Sequence, residues 1–115
     1  MAIILNRDAL AHAEKLISAG EVEKVDSNWA AEKPTQDELV KFINTHSMAE
    51  YGLWFLGKNN QYPENAKEHY VYPHGDLKEV QRCALVDSMK ETEKNGLKEI
   101  AHAAKRLLDM IDKKK

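Results

Sequence analysis

The segment Tyr51-Gly52-Leu53-Trp54-Phe55-Leu56-Gly57 decides how this chain folds. It is short, aromatic and bounded by glycines, a composition that suits a strand better than a helix. Ser47-x-x-Glu50 just before it has the form of a capping box, so a helical turn before or through the segment stays open. Residues 58–67 are polar, with Asn59, Asn60, Pro63 and Asn65 as turn formers. His69-Tyr70-Val71-Tyr72 then reads as a second short strand, closed by Pro73 and Gly75. Two such strands make a β-hairpin. A lone hairpin is marginal in water, so this one must lie on helices.

Helical signals flank the hairpin on both sides. Asn6 is an N-cap candidate with Asp8 in the first turn, and Ala9, Leu10, Ala13, Leu16 and Ile17 follow at helical spacing up to Gly20. The first helix is therefore expected over residues 7–19. Residues 21–34 are polar and aperiodic, and read as a loop pinned to the core by Trp29. Thr35-Gln36-Asp37-Glu38 is a capping box that opens a second helix ending near Thr45, with Leu39, Phe42 and Ile43 as its apolar stripe. Asp76-Leu77-Lys78-Glu79 repeats the capping pattern, and predicts a third helix reaching to about Lys94. That helix carries Cys83-Ala84-Leu85-Val86 and is apolar nearly all round, which predicts the most buried element of the fold or one half covered by a partner chain. After the Asn95-Gly96 break, Leu97, Ile100, Ala101, Ala104, Leu107, Leu108 and Ile111 form a fourth, cleanly amphipathic helix. The expectation is one mainly α domain over residues 1–115, with four helices and a short β-hairpin between helices two and three.

Composition narrows the function classes. The 115 residues carry Lys+Arg 17 against Asp+Glu 19, a formal charge of -2, which argues against a duplex-binding protein and its usual basic stripe. One cysteine excludes an internal disulfide and a multi-cysteine zinc site. No run approaches the ~20 apolar residues of a membrane span. Ile3-Ile4-Leu5 is too short for a signal-peptide core, and no Asn-x-Ser/Thr sequon occurs. Lys113-Lys114-Lys115 reads as a basic helix end complementing the dipole. Together these features predict a cytoplasmic protein without nucleic-acid or membrane partners.

Few residues invite chemistry. His46, His69 and His74 lie in or beside the irregular middle with Asp76 near, but no H-x-H or H-E-x-x-H frame fixes two ligands on one face, so no metal or other cofactor is expected. His12 flanks the apolar face of the first helix, and His102 lies opposite that of the fourth. Cys83 sits inside a helix between apolar neighbours, where a cysteine acts as a small hydrophobe rather than a nucleophile. Tyr51, Trp54, Phe55, Tyr70 and Tyr72 read as the hairpin's share of the core rather than a stacking platform. Arg82, between Val80 and Cys83, is expected to need a partner: hairpin backbone, a carboxylate from another element, or an incoming anion. Asp76 on the same helix would be near the limit of its reach.

Trp54-x-Leu56-Gly57, Tyr70-x-Tyr72-Pro73-x-Gly75-Asp76-Leu77 and Val80-x-Arg82-Cys83-Ala84-Leu85 resemble the pattern of a family of small uncharacterised bacterial proteins, W-H-L-G, Y-x-F-P-x-G-D-F and V-H-R. The resemblance covers residues 51–86 and, more loosely, the terminal helix. It implies shared architecture and brings no function. Phe55 and Gln81 stand where that pattern has histidines, so any role of those histidines would be missing here.

Two readings of function follow. The first is a non-enzymatic protein-interaction module, self-associating or binding a protein partner through helix three. The second is a small-molecule binder or minor enzyme that uses Trp54, His74, Asp76 and Arg82 as ligand-binding residues.

Overall fold

The computed structural model describes residues 3–23, 29 and 33–113. Among them the order is strand β1 (Ile3–Leu5), helix α1 (Arg7–Ser18), strand β2 (Val22–Glu23), helices α2 (Gln36–Thr45) and α3 (Met48–Gly52), and strand β3 (Phe55–Asn59). A 3-10 turn at Lys67–His69, strands β4 (Tyr70–Pro73) and β5 (Val80–Gln81), and helices α4 (Arg82–Lys94) and α5 (Lys98–Lys113) follow. Most of the expected 21–34 loop, and the Lys114-Lys115 end of the basic tail, lie outside the described residues.

This is an α+β arrangement, which corrects the mainly α, four-helix expectation. Five helices accompany two sheets among the described residues. β3 and β4 do pair antiparallel, with Gly57 opposite Val71. They are not an isolated hairpin, because β1 adds to the other edge of β3, Leu5 opposite Gly57, giving the order β1-β3-β4. β2 and β5 form a separate parallel pair, Val22 beside Val80. Strands of two or three residues are too short to show a period, so nothing local announces β1, β2 or β5.

The two competing signals around residue 50 both operate. The Ser47 hydroxyl accepts from the Glu50 amide at 3.1 Å and opens α3, which takes Tyr51 and Gly52 before β3 begins at Phe55. Gly52 is required there, since a Cβ would run into the Tyr70 ring.

The third helix starts at Arg82, five residues later than a cap at Asp76 suggests. Asp76 Oδ1 accepts from the Lys78 and Glu79 amides at 3.1 and 3.0 Å, the same bonds an N-cap would use. Leu77, however, has φ 73, a left-handed conformation that no helix continues. The chain turns, Asp76 N–H bonds back to Glu79 O, and Val80 enters β5 by donating to Glu21 O at 3.1 Å. Only then does α4 begin.

α5 is the more deeply buried of the two long helices, contrary to the ranking expected from composition. Ile100, Ala101, Ala103, Ala104, Leu107, Leu108 and Ile111 are all buried on it. They meet Ala13 and Ile17 of α1, Leu56 of β3, and Leu85 of α4 in one core. The all-round apolar segment of α4 is covered on two sides by its own chain. Cys83 and Ala84 pack with Trp29, while Leu85, Val86 and Met89 turn toward the main core. Gly96, at φ 73, closes the α4–α5 link, and Leu97 N–H returns to Thr92 O at 2.8 Å. No helix among the described residues is long and apolar enough to cross a membrane.

Candidate functional site

The structure divides the four residues singled out from the sequence. Trp54 and His74 meet in the interior, with ring centroids 5.3 Å apart, and His74 is fully buried. Gly75 permits this contact: a Cβ there would lie 2.7 Å from the Trp54 ring. Asp76 follows at the turn, where its second carboxylate oxygen takes a bond from Gln81 Nε2 at 3.1 Å. Arg82 points elsewhere. Its Nε and a terminal nitrogen reach Asp112 of α5 at 3.1 and 3.3 Å, so its partner is a carboxylate from another element.

A residue the sequence left on the margin joins the interior pair. His12 of α1 stacks edge-on to Trp54 at 5.1 Å and lies 6.1 Å from the His74 ring. Both imidazoles converge on one backbone oxygen: His74 Nε2 is 2.8 Å and His12 Nδ1 3.3 Å from Leu53 O. A carbonyl only accepts, so these nitrogens carry the protons. His74 Nδ1 is then an acceptor lone pair, sealed from solvent and without a hydrogen-bond partner. Burial pushes the His74 pKa down to about 4, partly offset by the Leu53 carbonyl, and nearby His12 lowers it further. His12 is lowered too, first by burial. Both rings are neutral near pH 7.

This cluster has no catalytic frame. Cys83 is buried with Trp29, and its thiol approaches Gln81 Oε1 at 3.9 Å. His69 is buried as well and bonds Tyr62 O through Nδ1 at 2.8 Å. No group of three or more His, Cys, Asp or Glu among the described residues could hold a metal ion.

The open concavity lies on the other side of the Asp76 turn. A groove of about 430 Å³ runs between Pro34 and the Glu38, Lys41, Phe42, Thr45 and His46 face of α2 on one wall, and Asp76, Leu77 and Lys78 on the other. Phe42 and His46, one helical turn apart, stack at 4.1 Å with ring planes 8° from parallel and form an aromatic strip in that face. Glu38 and Asp76 against Lys41 and Lys78 leave the walls balanced in charge. A smaller recess of about 120 Å³, lined in part by Trp29, Leu39, Phe55 and Gly75, opens behind Pro34 and Leu77, which border both cavities. α2 buries none of its residues fully, and Val40 is 45% exposed.

Sequence reasoning found Asp76 but not this groove. The spacing of Phe42 and His46 was readable as a stacked pair, whereas the placement of Leu77 opposite them depends on a turn that looks like a helix cap. Comparison with family models, curated proteins and solved structures finds no match to this chain.

Proposed function

We propose that the protein is a non-enzymatic protein-interaction domain, and that it docks a segment of a partner protein in the groove between α2 and the 76–78 turn. The observation that carries this reading is the groove itself, lined by apolar Phe42 and Leu77 together with Glu38, Lys41, Asp76 and Lys78. A site of this size takes a few side chains of an extended or helical segment, and the four rim charges would set its register. The groove replaces helix three as the docking surface, because α4 is occupied by Trp29 and the main core. The small-molecule reading has less support, since Arg82 pairs with Asp112 of α5 while Trp54 and His74 meet in the interior. One cysteine, buried, and no glycosylation sequon suit a cytoplasmic setting.

Affinity capture from cell extract with wild-type protein and two variants tests the proposal. Leu77→Asn removes the apolar wall yet tolerates the left-handed backbone. It should weaken recovery of the captured partner at least tenfold, with helix content unchanged. Lys90→Glu, on the exposed side of α4, should leave recovery intact. Equal recovery by wild type and Leu77→Asn would remove the groove from consideration.

A further inference from the structure

His74 sits at a mechanical junction. Its own amide donates to Trp54 O at 3.0 Å and its carbonyl accepts from Gln81 N at 3.0 Å, while its ring is tied to Leu53 O. These three bonds fasten the connection between β4 and β5 to the end of α3 and to β5. The part of that connection which projects beyond them, residues 76–78, is a wall of the groove. The segment is held further by an isolated bridge, Gly75 with Val80, by the Asp76 N–H to Glu79 O bond, by the bonds of the Asp76 carboxylate, and by Leu77 against the Tyr51, Trp54 and Phe55 cluster.

We propose that His12 and His74 form an acid-operated latch: as neutral rings sharing the Leu53 carbonyl they close the 74–80 connection onto α1 and α3, and charging of His74 releases it. The physical reason lies in the second nitrogen. A proton on His74 Nδ1 would create a cation in a fully buried ring, where the cost of burial outweighs the help of the Leu53 carbonyl and of the residue's own backbone carbonyl. The bonds of both rings go to the Leu53 carbonyl rather than to a carboxylate. His12 is the titratable group facing His74 from α1, and its own field comes from Lys15, which disfavours charge, and Glu21, which favours it. On the connection itself the Asp76 carboxylate is engaged by the Lys78 and Glu79 amides and the Gln81 side chain. Release puts the His74 ring into water, where it takes up the proton at its ordinary value. The latch operates whether or not the groove is occupied.

Sign and window follow from the lowered value. Between pH 6.5 and about 4 the open form binds a proton that the closed form does not, so opening grows as pH falls and levels off below about 4. Residue-resolved amide hydrogen exchange on the free protein, from pH 7.5 to 4.5 and corrected for intrinsic rates, reads this directly. The opening constants of the Asp76, Val80 and Gln81 amides should rise about tenfold per pH unit below 6.5. Those of Ala104 and Leu108 in α5 should stay flat. His74→Gln keeps a donor for Leu53 but does not titrate, and should abolish the slope at residues 76–81. His12→Gln, which removes a group that holds the His74 value down, should keep the slope but level off at a higher pH, for a smaller total rise. NMR of the ring carbons in the wild-type protein gives a check that needs no variant: His74 must titrate together with the opening. Opening that is independent of pH, opening that rises equally in His74→Gln, or loss of protection in α5 at the same rate as in residues 76–81 would each overturn the latch.

Discussion

Arg82 and Asn6 show how differently two polar side chains can matter at the residue scale. The Arg82–Asp112 pair is bidentate, but the two side chains are 25% and 46% exposed, so water screens much of the attraction. A fully buried arginine stripped of its partner would cost several kcal/mol. At this half-exposed site Arg82→Ala should cost only about 1 kcal/mol or less, read as a small shift in the urea midpoint with an unchanged slope. A loss above about 3 kcal/mol would mean that Arg82 is effectively desolvated. Asn6 is the opposite case. Its oxygen caps α1 by accepting from Ala9 N, while its amide donates to Gly52 O and Phe55 O at 2.9 and 3.0 Å, all in the interior. The cap was legible, because Asn before an amphipathic run is a local signal. The two long-range bonds were not, since their acceptors lie 46 and 49 positions away and belong to backbone that any sequence would supply.

At the scale of elements, the same four-residue pattern gives two outcomes. Thr35 and Glu38 complete a reciprocal capping box and a helix follows. Asp76 and Glu79 make the turn bonds and a helix does not, because the next residues are taken by pairing with Glu21 and Val22. A capping signal reports a local hydrogen bond, and tertiary pairing decides whether a helix grows from it. That is why helix α2 could be read to within a residue while the start of α4 could not. Good caps do not make a well-held helix either. α2 packs Leu39, Phe42 and Ile43 against the Tyr51, Trp54 and Phe55 cluster, yet none of its residues is fully buried. Lys67 Nζ to Gln36 Oε1, at 2.7 Å, adds one exposed bond. Local opening free energies fall where buried apolar contact is scarce. Amides of residues 40–45 should therefore exchange at least a hundredfold faster than those of 101–108 at pH 7, measured under the same conditions. Equal protection would show that α2 opens only with the whole molecule.

At the scale of the molecule, the chain closes on itself through its two ends. β1 completes the three-stranded sheet beside β3, and α5 packs its apolar stripe against that sheet, α1 and α4. The helical periodicities of α1 and α5 were readable because each writes its buried face into its own sequence. Sheet order was not, because β1 acquires its partner more than 50 residues away, as Leu5 with Gly57. Most of the chain's apolar burial thus lies on one side, around Ile17, Leu56, Leu85, Ile100 and Leu107, all at most 2% exposed. The groove and the histidine latch lie beside the second cluster, Tyr51, Trp54 and Phe55. If these halves form one cooperative domain, a cavity in the first must be felt in the second. Leu107→Ala removes a fully buried side chain and should cost about 2–5 kcal/mol, much of the 5–15 kcal/mol typical of a small domain. Near-UV circular dichroism reports on packed aromatic rings such as Trp54, whereas far-UV signal comes mainly from the helices. In Leu107→Ala the two should lose signal in one coincident urea transition, at a midpoint well below wild type. Earlier loss of the aromatic signal would instead separate the Trp54 side from the α5 core as an independently melting unit.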